Sequence, residues 1–205
     1  PLKLLVVLFH ELSHALTGLA TGAMVYGIAI NPGGAGVTLL DDGGNPLLIL
    51  LAGYTGSLLV GAALYAAQAV WRPGEVWGAL LAFCAASRLL RWPDEFTSEF
   101  LYGAVVLLAA GFLFSAAAKR FWLRALAATS CLYPILDVTG GLFGAGKDGF
   151  AVRGELVGSD MAQIARLTGL PEAPLSLAGA ALGVFMVIYL TRWSARIEAR
   201  TIVKN

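Results

Sequence analysis

The 205-residue chain has two histidines, and both fall in one short motif, His10-Glu11-Leu12-Ser13-His14. On a helix, positions i and i+4 project from the same face, so both imidazoles can reach one metal ion. A carboxylate between them can polarise a metal-bound water and carry its proton, the chemistry by which zinc sites hydrolyse peptide bonds. The motif lies inside an apolar run from Leu2 to Ala20. Imidazole and carboxylate groups are expensive in hydrocarbon and mark a functional site there by default. A lone buried His is usually a satisfied core residue, but two histidines flanking a Glu at this spacing are rare by chance. The motif therefore predicts zinc-dependent peptide hydrolysis inside a membrane.

Composition sets the surroundings. Only 13% of residues are charged and the mean hydropathy is +0.76, whereas soluble domains carry roughly a quarter charged residues. The net charge of +1 gives no basis for binding nucleic acid. Cys84 and Cys131 sit in apolar segments without a Cys-x-x-Cys pattern and read as small core residues. The chain opens at Pro1, and its first apolar run lacks a small-residue cleavage site, so it is not read as a signal peptide.

Spans need about 20 apolar residues each. Six are expected: Leu2 to about Thr21, Pro46–Val70, Glu75–Leu90, Ser98–Ala118, Phe121 to about Phe143, and Ala173 to Tyr189 or slightly beyond. The third is short and ends in Arg88 and Arg91, the pattern of a tilted or re-entrant segment. Between the first two spans, Met24–Ile30 and Ala35–Leu40 are β-prone runs flanking Asn31-Pro32-Gly33-Gly34, the signature of a hairpin. The expected fold is an all-α polytopic membrane protein of about six transmembrane helices with a short β-hairpin insert after the first. The whole of 1–205 is expected to form one membrane-embedded domain, with the hairpin and its loops at 22–45. A polar interfacial segment with a short helix is expected at 144–172. Ser159 or Asp160 caps that helix, which runs to Leu170. Gly53, Ser57 and Gly61 recur every four residues in the second span, a stripe that admits close approach of another helix. With six spans, the loops on the side of the chain ends hold more Lys and Arg (Arg72; Lys119, Arg120, Arg124; Arg192, Arg196, Arg200, Lys204) than the opposite side (Arg88, Arg91; Lys147, Arg153, Arg166). The positive-inside rule then sets both ends in the cytoplasm.

A catalytic zinc takes three protein ligands and keeps a position for water. With both histidines used and no suitable Cys, the third ligand must be a carboxylate. Asp137 is the acidic residue deep in an apolar span, and metal ligation would offset the several kcal/mol that an unpaired Asp costs there. Pro134 nearby is expected to break that helix. An Asp paired with a hydroxyl or an Arg is the plainer reading of Asp137. Asp160 is the second candidate ligand, in a setting that suits a helix cap. The hairpin can serve as an ordinary surface turn, or as an edge that accepts an extended substrate by strand addition at Asn31, Pro32, Gly33 and Gly34.

These residues together resemble a family. Phe9-His10-Glu11-Leu12-Ser13-His14-Ala15, Leu136-Asp137 in a late span, the β-prone insert and Ala52-Gly53-Tyr54-Thr55-Gly56-Ser57 are similar to the site-2-protease-like intramembrane zinc metallopeptidases. The likeness extends over most of the chain and is closest to the compact branch without PDZ or CBS domains. It implies one Zn2+ per chain held by His10, His14 and Asp137, with Glu11 activating water. It also implies a substrate that is a transmembrane segment of another protein. The simplest setting for such a multi-pass protein is a prokaryotic plasma membrane. The chain departs from the family pattern at four points. Thr129 stands where an Asn is usual, Pro134 is nearer the Asp, Val138 follows the Asp in place of Gly, and Tyr54 replaces a Pro. Two other readings compete: a non-catalytic scaffold of the same fold, and a metal-ion transporter. Intact Glu11 argues against the scaffold, and a single polar cluster argues against a transport path.

Overall fold

The apolar run that carries the motif forms a 20-residue helix, α1 (Leu2–Thr21). The structure, a computed structural model, describes residues 1–142, 151–152, 155–156 and 158–202. Side chains at 134, 136–142, 151–152, 155–156 and 198–202 fall outside the described part. α1 ends at Gly22, whose φ of 106° is left-handed, and Ala23 N–H closes the end onto Gly18 O at 2.8 Å. The expected hairpin follows as β1 (Val25–Ile30) and β2 (Gly36–Leu40), antiparallel with Ile28 opposite Thr38. Its turn needs glycine at Gly34, where φ is 80°. α2 (Pro46–Val70) starts at the expected Pro46, which opens the first turn, and Asn45 caps it by accepting from the Leu48 N–H.

α3 (Pro73–Leu89) and α4 (Glu95–Ala110) follow, the latter continued by a 3-10 turn at Gly111–Leu113. The fourth span was expected to reach Ala118, but the chain breaks before it. Ser115 caps a new helix, α5 (Ala116–Leu142), by accepting from Ala118 N–H. Lys119 Nζ turns back to donate to Phe112 O and Phe114 O at 2.9 and 2.8 Å. A buried ammonium thus satisfies carbonyls orphaned at the end of the preceding helix. α5 runs through Pro134 without ending there. Proline removes one hydrogen bond from a helix interior and need not terminate it where neighbours hold the chain. Two-residue strands β3 (Ala151–Val152) and β4 (Glu155–Leu156) pair, followed by α6 (Asp160–Thr168) and α7 (Glu172–Ile202). The rest of the expected polar segment up to residue 157 lies outside the described residues.

Among the described residues, four helical segments are long and apolar enough to cross a membrane: Leu2–Thr21, Pro46–Val70, Glu95–Leu113 and Glu172–Ile197. The other two expected spans are helices of different character. α3 has 17 residues, about 25 Å of helix against a hydrocarbon core of about 30 Å. α5 carries Lys119, Arg120 and Arg124 near its start. α1 is the most enclosed of the four; its residues Leu5–Phe9, Leu12 and Ala15 anchor the main apolar core with β1, α3, α4 and α5.

The small-residue stripe of α2 serves two neighbours. Gly53 faces His10 and His14 of α1, while Gly61 lies against Cys131 Sγ and the Ala127 carbonyl of α5. Ser130 Oγ donates to Ser57 O between them at 2.7 Å. Replacing Gly61 with Val should lower the unfolding temperature of the detergent-solubilised protein, as overpacking costs about 1–3 kcal/mol. Gly103→Val, where a Cβ meets nothing within 4 Å, should leave it nearly unchanged. Equal thermal scans for the two variants would show that this helix contact does not matter.

Candidate metal centre

One turn of α1 places His10 and His14 on the same face, their ring centroids 4.6 Å apart. Both are buried, 4% and 5% exposed, and Glu11 beside them is 4% exposed. The third group comes from far along the chain. Asp160 Oδ2 lies 2.7 Å from His10 Nε2 and 3.0 Å from His14 Nε2. These three ligand atoms all lie within 4.8 Å of one another.

The donor set fits a metal ion. His14 Nδ1 is 2.6 Å from the Ile49 carbonyl oxygen, which can only accept, so Nδ1 carries the hydrogen. That leaves the lone pair of neutral His14 on Nε2, pointing at a carboxylate oxygen that also only accepts. Two acceptors this close need a proton or a cation between them. A histidine oriented through its second nitrogen by a carbonyl is the usual support of a metal ligand. Burial pushes the Asp160 carboxyl up, but the charge on His14 and hydrogen bonds from both histidines hold it well below the usual carboxylate range. An ionised carboxylate there is suited to holding a proton or a cation between itself and the two imidazoles.

Local sequence explains how Asp160 comes to turn inward. Ser159 is the cap of α6, its Oγ accepting from Ala162 N–H at 3.2 Å, so the neighbouring carboxylate is not needed for that task. Met161 and Ile164 seat the helix on Tyr54, Leu47, Leu50 and Leu175. Asp137, the other expected ligand, lies on α5 with its side chain outside the described residues.

Glu11 has a partner that sequence reasoning did not single out. Thr38 Oγ1 on β2 lies 2.8 Å from Glu11 Oε2 and 2.9 Å from Glu11 O. Gly36 on the same strand faces Glu11 so closely that a Cβ there would strike its carboxylate. The turn residues Asn31, Pro32, Gly33 and Gly34 sit elsewhere. Lys3 Nζ donates to Gly33 O at 2.8 Å and packs on Gly34, about 10 Å along α1 from His10. Gly36 and Thr38, not the turn, are the hairpin residues at the motif. Period-two alternation brings both to one face of β2, the one signal that links them.

A sequence profile described as Peptidase M50B-like matches residues 1–191. No curated protein and no solved structure matches the chain.

A Cβ at Gly53 would stand 2.5 Å from His10 Cε1 and His14 Nε2. Gly53→Ala should therefore lower the zinc retained per purified chain, read by elemental analysis, while Gly103→Ala retains the wild-type content. Wild-type zinc in Gly53→Ala would show that the histidines do not need that approach.

Proposed function

The chain belongs to the Peptidase M50B-like family, and we propose that it is an intramembrane zinc endopeptidase. It would hydrolyse peptide bonds in or near transmembrane segments of other membrane proteins. The observation that carries this reading is the convergence of His10, His14 and Asp160 beside a buried Glu11. His10 and His14 would hold one Zn2+ per chain with Asp160 as third ligand, the position that sequence reading gave to Asp137. Zinc held there supplies a Lewis acid that makes water acidic and polarises a carbonyl.

Glu11 is the base. It takes a proton from the attacking water and passes it to the departing amine as the C–N bond breaks, leaving a carboxylate and an amine. Thr38, donating to Oε2, fixes which carboxylate oxygen remains available. The buried setting excludes bulk water, which strengthens each of these electrostatic contacts.

The hairpin supports an extended substrate at β2. Ile28 spends its N–H on Trp92 O and its C=O on Asp94 N–H, at 2.7 and 2.9 Å. Residues facing each other across antiparallel strands either exchange both hydrogen bonds or neither. Ile28 and Thr38 are therefore a non-bonded pair, and Thr38 turns its own N–H and C=O to the outer edge of β2. That edge has no neighbouring strand among the described residues. A substrate segment unwound from helix could pair there, next to Glu11, by strand addition. The remainder of the reading is a multi-pass protein of a prokaryotic plasma membrane, ends cytoplasmic by the Lys and Arg distribution.

Elemental analysis with site variants tests the metal, and a cleavage assay on a membrane-protein substrate tests the reaction. About one zinc per wild-type chain is expected, lost in Asp160→Ala and in the His10→Ala/His14→Ala double variant. Loss in Asp137→Ala with retention in Asp160→Ala would return the third ligand to Asp137. Glu11→Gln should keep its zinc and lose cleavage. A wild type that cleaves nothing, with Glu11→Gln indistinguishable from it, would instead identify a non-catalytic scaffold, and metal flux into vesicles a transporter. Thr38→Val should keep its zinc and lower kcat by about 10- to 100-fold, consistent with a lost hydrogen bond to a charged group of about 1.5–3 kcal/mol.

A further inference from the structure

The two histidines are held in different ways. His14 is oriented by a hydrogen bond from Nδ1 to the Ile49 carbonyl. His10 Nδ1 is buried and has no hydrogen-bond partner among the described residues. Two phenol rings from two helices flank its imidazole instead. Tyr54 of α2 stands at 5.2 Å between centroids with the planes at 77°, and Tyr133 of α5 at 5.0 Å and 63°. These are edge-to-face contacts, the arrangement aromatic pairs prefer at such distances.

An imidazole ligand must keep its ring orientation, because rotation about χ2 swings the lone pair away from the metal. The second ring nitrogen usually secures this through a hydrogen bond. We propose that Tyr54 and Tyr133 are positioning residues that clamp the His10 ring by packing, in place of the hydrogen bond that orients His14. Both rings are themselves fixed. Tyr133 is 5% exposed within the main core, and Tyr54 is 4% exposed within the cluster that seats α6. The clamp therefore has one jaw on α2 and the other on α5. Tyr54 also links His10 to Met161, the residue after Asp160.

The inference rests on reading His10 as a zinc ligand, and zinc affinity separates the two. Competition with a chromophoric chelator gives that affinity for the full-length protein in detergent, and cobalt absorption spectra report the ligand geometry. Tyr54→Leu and Tyr133→Leu should each weaken zinc binding by about 10-fold or more, the range for lost support of a metal ligand, and alter the cobalt bands. Tyr54→Phe and Tyr133→Phe, which keep the rings, should bind zinc nearly as wild type does. In a His10→Ala background the Leu substitutions should cause no further loss, because the ring they orient is gone. Where a Leu variant lacks a cooperative unfolding transition, the Met variant, closer in volume, takes its place. Wild-type affinity in the ring-deleted variants overturns the clamp, as does equal loss in both backgrounds. Phe variants as weak as the Leu variants overturn it too, since the hydroxyls would then be responsible. A wild type that binds no zinc overturns the metal reading itself.

Discussion

Two imidazoles and a carboxylate on the most enclosed helix of an apolar bundle must find their partners inside the protein, because hydrocarbon offers none. Much of the surrounding architecture answers that demand. Ile49 offers a carbonyl to His14, Thr38 a hydroxyl to Glu11, and Asp160 a charge to both histidines. None of these reaches the motif unless its backbone comes close, and closeness requires small residues opposite the polar face. Gly53 on α2 and Gly36 on β2 supply it, one against the imidazoles and one against the carboxylate. The glycines are thus part of the polar site although they carry no polar group.

Local signals made much of this legible in the sequence. The helix that bears the motif, the start of α2 at Pro46, and the turn between the β-prone runs all follow from short-range chemistry, and the structure has them at the expected places. The boundary between α4 and α5 was less legible. Apolar residues run on through it, and only Ser115 and the returning Lys119 mark the break. The small-residue stripe was visible, but its division between α1 and α5 depends on how three helices cross, which no single segment encodes.

Asp160 illustrates why the site was only partly legible. In sequence it looks like one of two equivalent cap residues, since Ser and Asp both serve at helix starts. Which of them caps depends on which is required elsewhere, and that requirement lies 150 residues away at His10. Asp137 drew attention because an acid in an apolar run is costly, an argument about one segment's solvent. The pairing of Asp160 with the histidines depends instead on α6 folding back over α2, through contacts of Met161 and Ile164 that are too few to stand out as a pattern.

The hairpin shows how one strand can be both support and exposed edge. β1 is closed on its outer side: Ile28 bonds to the chain at Trp92 and Asp94, and Ile30 N–H donates to Thr97 Oγ1 at 2.9 Å. Asp94 in turn caps α4 by accepting from Thr97 N–H, so that side is tied to a helix start. An edge fixed so firmly leaves β2 as the side on which further pairing can occur. β2 is also the strand whose Gly36 and Thr38 reach Glu11. A backbone added there would lie about 4.8 Å from β2, the spacing of paired strands. The asymmetry of the hairpin therefore assigns its two edges to different tasks. One anchors the insert to the bundle, and the other belongs to the strand whose Gly36 and Thr38 meet Glu11.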